Sequence, residues 1–201
     1  MFPHFEVAMD ILLTIAIGIG LTAACGFRIF VPPLVMSIAA LFGHLPLSQN
    51  FEWVGTYPAL EAFAVATCVE IAAYYIPWVD NLLDTVSTPT AIAVGTSIVA
   101  ALIPNTDPLL QWTIAVIAGG GSAGLVQAFT AMTRLSSTAL TVGIGNAVVS
   151  TVEASSSIIL SILAIFMPIV AVGLVAALSI LIVRKGWQSL AMKSLVKTPN
   201  E

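Results

Sequence analysis

The sequence predicts an all-α fold, a polytopic transmembrane helical bundle with little mass outside the bilayer, and three observations carry that prediction. Six basic and ten acidic residues are all the formal charge in 201 residues, 8% of the chain, against roughly 25% in soluble domains. Apolar residues make up 59% and mean hydropathy is +1.05. The charges also leave long uncharged runs at 11–27, 29–51, 85–106, 108–133, 135–152 and 154–183. Several of these match the roughly 20 residues a spanning helix needs. A β-barrel would show short alternating strands of about ten residues instead, and none is seen.

Taken in order, a first helix is predicted from about Phe5 to Ala24. No basic n-region precedes it, so it is expected to be a retained span rather than a cleaved leader. A second, short apolar segment runs from Ile29 to Gly43, with Pro32 and Pro33 at its start. Proline is tolerated in a first helical turn, and the shortness suggests a re-entrant or tilted half-helix. Residues 44–58, with Trp53 and Tyr57, suit an interfacial loop. A third helix is predicted from Ala59 to Ile76, and PWVDNLLDTVSTPT (77–90) as an amphipathic surface piece. The fourth helix follows at about 91–103 and the fifth at 109–132. A Ser, Thr and Gly-rich stretch (136–146) then precedes a sixth helix at 147–166, and Pro168 separates a seventh that ends near Val183.

The whole chain, 1–201, reads as a single transmembrane domain of about seven apolar segments with a basic tail at 185–201. The tail cluster Arg184, Lys185, Lys193 and Lys197 places the C-terminus in the cytoplasm, because basic flanks tend to stay inside. The N-terminal flank, with Glu6 and Asp10 and no Lys or Arg, is expected outside. AVATCVEIA (64–72) resembles AVVSTVEAS (147–155), and GLTAACGFRIF (20–30) is weakly like GGGSAGLVQAF (119–129). These matches suggest an internal repeat with halves of about 7–104 and 109–184, like transporter folds that use broken helices and place sites at the repeat interface.

Four charges interrupt apolar sequence: Arg28, Glu70, Arg134 and Glu153. An ionisable group deep in a bilayer costs at least about 2.5–3.5 kcal/mol on insertion scales, which makes these the binding candidates, with Asn146 as a polar partner for Glu153. Two readings fit them. They form a polar centre that binds an anion, relays protons or couples ions, or they are structural ties holding helices in register. Asp80 and Asp84, at i and i+4, share a helix face and read as interfacial carboxylates on a solvated side. Two carboxylates alone do not make a metal site. His4 and His44 lie far apart in the sequence, so no histidine metal centre is expected. The Gly-rich stretches 18–26, 119–124 and 143–145 allow either close helix packing or an unwound helix whose backbone lines a site. Cys25 and Cys68, in apolar stretches, read as free thiols acting as small hydrophobes.

GFRIFVPPL (26–34), IPWVDNLLD (76–84), Pro89 and GNAVVSTVE (145–153) together give a resemblance to an uncharacterised bacterial integral membrane family, domain of unknown function 4126. It covers most of residues 18–170. That family's first acidic helix usually continues with an Asp-Lys pair, where this chain has Ala73-Tyr74-Tyr75. Its second site commonly carries an acidic pair, where this chain has Glu153-Ala154. The resemblance implies the bacterial cytoplasmic (inner) membrane and supplies no activity.

The leading functional expectation is therefore a small transporter or channel-like protein. The alternative is a non-catalytic structural subunit packed in a larger membrane complex. A lipid-headgroup enzyme acting through Asp80 and Asp84 is a distant third, so no catalytic residues and no cofactor are expected. Membrane lipids and either a homo-oligomer or a larger complex are the expected partners. Net charge of −4 and the lack of a polybasic patch argue against nucleic acid.

Overall fold

Prolines and short polar caps set where the helices begin. The computed structural model of the chain describes residues 3–103, 107–141 and 143–196. The expectations for His4, Glu6 and Asp10 and for the basic side chains beyond Arg184 lie outside the described side chains. Among the described residues eight α-helices follow one another: α1 (Pro3–Cys25), α2 (Val31–Leu41), α3 (Tyr57–Ala73), α4 (Pro77–Leu102), α5 (Pro108–Ile114), α6 (Gly121–Thr141), α7 (Asn146–Phe166) and α8 (Pro168–Val196). A 3-10 segment, Gln49–Gly55, precedes α3, and a π-helical segment, Ala115–Gly120, joins α5 to α6. No strand occurs among the described residues.

Proline stands in the first turn of α2, α3, α4 and α5, where a missing N–H costs nothing. The Thr56 hydroxyl caps α3 by accepting from the Ala59 amide at 3.4 Å. The Asp107 carboxylate caps α5, accepting from the amides of Leu109 and Leu110 at 2.9 and 3.3 Å. Between α6 and α7 the chain turns through Gly143, whose φ of +89° is a conformation that favours glycine.

Three stretches among the described residues are long and apolar enough to cross a membrane: Trp78–Leu102, Pro108–Thr141 and Asn146–Phe166. A fourth results if Gln49–Gly55 and Tyr57–Ala73, bent by 66°, count as one broken span. Ile11–Cys25, Val31–Leu41 and Pro168–Arg184 are shorter apolar helices.

Two sequence expectations are corrected. Residues 77–90 are not a separate surface piece, because they form the first half of the continuous helix α4, with Pro89 inside it. Residues Asp80, Ser87, Ala91 and Thr96 on that helix are buried, so the segment that looks amphipathic turns its polar side inward. The Ser and Thr-rich stretch after Arg134 is likewise helical as far as Thr141, so the helix expected to end at about 132 continues beyond it. Ser136 and Thr141 donate their hydroxyls to carbonyls four residues back, at 2.9 and 2.7 Å, so these polar side chains are satisfied within the helix.

The bundle is built around the C-terminal half of α1. Leu21, Thr22, Ala23, Ala24 and Cys25 are wholly buried, and α1 packs against α4, α6, α7 and α8. Small residues make this closeness work. Gly20 lies against Ala164 and Ala171, and Gly26 against Val126 and the Ala123 carbonyl. The backbones of Gly95 and Gly119 touch where α4 crosses the π-helical segment. The outer surface is the reverse of a soluble protein's. Leu109, Leu140, Ile144 and Ile169 are each more than three-quarters exposed. Exposed apolar area on this scale needs a non-aqueous neighbour.

The glycine contacts give a first prediction. A methyl added at Gly119 would collide with the Gly95 backbone, whereas one at Gly121 meets nothing within 4 Å. Gly119→Ala is expected to destabilise by about 1–3 kcal/mol through overpacking. Gly121→Ala should be neutral or stabilising by up to about 1 kcal/mol. Thermal unfolding of the two variants in detergent reads the difference, and equal midpoints would refute the tight crossing.

Candidate functional site

Helical periodicity brings the polar residues to one place. On α7 the buried positions Asn146, Ser150, Glu153, Ser157 and Leu160 recur every three or four residues, a single stripe facing the bundle. On α6 the matching stripe is Ala123, Val126, Thr130 and Arg134. Asp80 and Asp84 stand one turn apart near the start of α4. Arg28 enters from the turn between α1 and α2, and Tyr74 from the end of α3.

Arg134, 2% exposed, is the hub. Its Nε donates to Glu153 Oε1 at 3.0 Å and its Nη2 to Glu153 Oε2, a bidentate fork on one carboxylate. Its Nη1 donates to Asp80 Oδ1, and Asp84 Oδ1 lies 3.8 Å from its Nε. Arg28, 1% exposed, donates from Nη2 to the Ser150 carbonyl at 2.8 Å and to the Ser150 hydroxyl, and lies 3.6 Å from Glu153 Oε2. Glu153 thus contacts both guanidiniums.

The ring of Tyr74 carries both arginines as well, with guanidinium carbons 4.0 Å (Arg28) and 4.2 Å (Arg134) from its centroid. An opposite charge at about 4 Å gains about 4 kcal/mol at an effective dielectric of 20. Glu153, close to both arginines, therefore offsets their mutual repulsion, and the Tyr74 ring adds cation–π attraction.

Two predicted placements need correction. Asp80 is fully buried and paired with Arg134, not on a solvated face, and Asp84 is part-buried beside the same arginine. The i, i+4 spacing did put them on one face, but that face points into the bundle because Arg134 provides the countercharge there. Asn146 does not partner Glu153. Its Nδ2 donates to Asp80 Oδ2 at 2.8 Å and to the Thr138 hydroxyl at 2.9 Å.

Glu70 takes a different position from the other three predicted charges. Its carboxylate accepts from the amides of Ile29 at 2.7 Å and Phe30 at 3.0 Å, at the exposed-amide end of α2. It makes no salt bridge with either arginine. A carboxylate at a helix N-terminus is stabilised by the unpaired amides and by the helix dipole. Arg28, Arg134, Asp80, Asp84 and Glu153 therefore form the cluster, and Glu70 stands beside it.

Tyr74 and Ser150 escaped the sequence reading as site residues. A signal was present in each case: Tyr74 is one helical turn beyond Glu70, and Ser150 is one turn before Glu153. A second polar layer, also missed, ties off the end of α1. Ser157 donates to the Ala24 carbonyl at 2.9 Å, and Thr130 donates to the Gly26 carbonyl at 3.3 Å. Alongside it, Gln127 donates to the Ser87 hydroxyl at 2.8 Å.

Several buried polar atoms of the cluster have no protein hydrogen-bond partner: Nε and Nη1 of Arg28, Oδ1 of Asp84 and Oδ1 of Asn146. Both unused donors and unused acceptors occur, a pattern that internal water or a small ion satisfies. No three acidic, histidine or cysteine side chains among the described residues are placed to hold a metal ion.

An all-helical chain with helices of membrane-crossing length and a buried charge cluster is a membrane protein in its construction. The chain belongs to the family described as a domain of unknown function (DUF4126), whose model matches residues 15–188. That span includes every residue of the cluster. Neither the curated proteins nor the solved structures contain a match to it.

Proposed function

We propose that this protein is a small multi-pass transporter or channel-like protein of a bacterial cytoplasmic membrane, with the cytoplasmic C-terminus expected from its basic tail. In this reading the Arg134 cluster is the place where a proton or another small cation is held in transit. One observation carries the proposal: carboxylates outnumber guanidiniums. Asp80, Asp84 and Glu153 share only Arg28 and Arg134 among the described residues. An acidic excess in a low-dielectric interior draws protons or cations and repels anions. The unused acceptors on Asp84 and Asn146 fit the same chemistry. The two-fold theme of the sequence, with Arg28 and Arg134 over one tyrosine ring and Glu70 and Glu153 on α3 and α7, fits repeat halves that meet at this point.

The test is flux. The purified chain reconstituted in liposomes under an imposed membrane potential is expected to carry protons or sodium faster than protein-free liposomes. The readouts are an internal pH dye and sodium-22. Flux equal to that of empty liposomes for both ions overturns the proposal.

A second reading, a structural subunit of a larger membrane complex, is favoured by Glu70, whose carboxylate serves a helix end rather than a guanidinium. Stable co-purification with a stoichiometric partner, and no flux alone, distinguishes it.

A further inference from the structure

Beside the cluster, α3, the N-terminal half of α4 and the start of the α2 turn enclose a groove of about 430 Å³. Its walls are apolar, with Ile29, Phe30, Val65, Val69, Leu83 and Val86 among them, and Glu70 and Ser87 also line it. Val65, Val69 and Val86 are each more than half exposed, so the groove opens on the outer, apolar surface of the bundle. Its volume and its mostly apolar lining, with a few placed polar groups, are those of a small-molecule site.

The charge of Glu70 decides what fits. It is 8% exposed, and its partners are two neutral backbone amides rather than a guanidinium. The nearby arginines are engaged with Glu153, Asp80 and Ser150. A buried carboxylate bonded to no guanidinium, lining an apolar groove, complements a ligand with a positive centre inside a hydrophobic body. We infer that this groove is a binding site for an organic cation of that kind, held by Glu70 at its charge and by the valine walls of α3 and α4 at its apolar part. A lipid acyl chain would match the walls but leave the carboxylate without a counterpart. This goes beyond the ion-handling proposal and rests on binding alone, so its failure would leave the flux test unaffected.

The probe is tetraphenylphosphonium, titrated calorimetrically into the full chain in detergent. Saturable binding is expected, weakened by about tenfold or more in Glu70→Gln through loss of the charge contact. Val69→Trp fills the groove while keeping the carboxylate, and is expected to weaken binding to a similar degree. It keeps the test decisive should Glu70→Gln fail to fold. Ile169→Trp, on the exposed face of α8, should bind within about twofold of the parent. Three outcomes overturn the inference: no saturable binding by the parent, unchanged binding in Val69→Trp, or equally tight binding of neutral triphenylphosphine oxide. A co-purified phospholipid that tetraphenylphosphonium cannot displace would overturn it too.

Discussion

Replacing Arg134 by methionine is expected to be the most destabilising single change in the protein. The substitution keeps a long side chain in the bundle but leaves Glu153, Asp80 and Asp84 without the guanidinium they share. Removing one partner of a buried ion pair costs about 3–5 kcal/mol, because the other charge stays buried and unpaired. Here three carboxylates lose one cation, so the upper part of that range applies. Thermal unfolding in detergent, followed by tryptophan fluorescence, is the measurement, with loss of the monodisperse species as the extreme outcome. Arg134→Lys should fall between, since it keeps the charge and loses the fork on Glu153. The triple variant Arg134→Met, Asp80→Asn, Glu153→Gln should recover much of the loss, because it removes the unpaired charges as well. Parental stability in Arg134→Met would show that the cluster does not hold the helices together.

The reasons why parts of this architecture were legible in the sequence, and others not, are physical. Sparse charge and long apolar runs report on the solvent around the chain, so the helical membrane character could be read directly. The start of α2 at the proline pair and the break at Pro168 were legible because proline acts locally. Residues 77–90 misled for the opposite reason. Their polar side looks solvated only when Arg134, more than 50 residues away, is left out of account. The continuity of α4 through Pro89 likewise depends on packing rather than on local preference. In the cluster, Arg28, Arg134 and Glu153 were visible as isolated charges in apolar sequence, and the structure brings them together while Glu70 turns to backbone amides. Single-residue reasoning could not pair them, and it assigned Asn146 to the wrong carboxylate. Tyr74 carries no charge and sits among aromatic and apolar residues, so its position against both arginines is a tertiary fact.

Glu153→Gln is expected to separate ion flux from folding. The change preserves shape and one acceptor oxygen, but removes the negative charge that lies against both Arg28 and Arg134. The sign of the acidic excess predicts its stability effect relative to Arg134→Met. Deleting a carboxylate charge moves the cluster toward neutrality, while deleting the guanidinium moves it further away. Glu153→Gln should therefore unfold at a temperature nearer the parent's. Flux should nonetheless fall by about two orders of magnitude, equivalent to about 2.7 kcal/mol in a barrier, because the negative charge that would hold a cation in transit at the centre of the cluster is gone. Glu70→Gln should reduce flux less, since its carboxylate touches backbone amides and neither guanidinium. Liposome flux and thermal unfolding measured on the same preparations give both numbers. Parental flux in a well-folded Glu153→Gln would remove the cluster from the ion path and leave its charges as ties between helices.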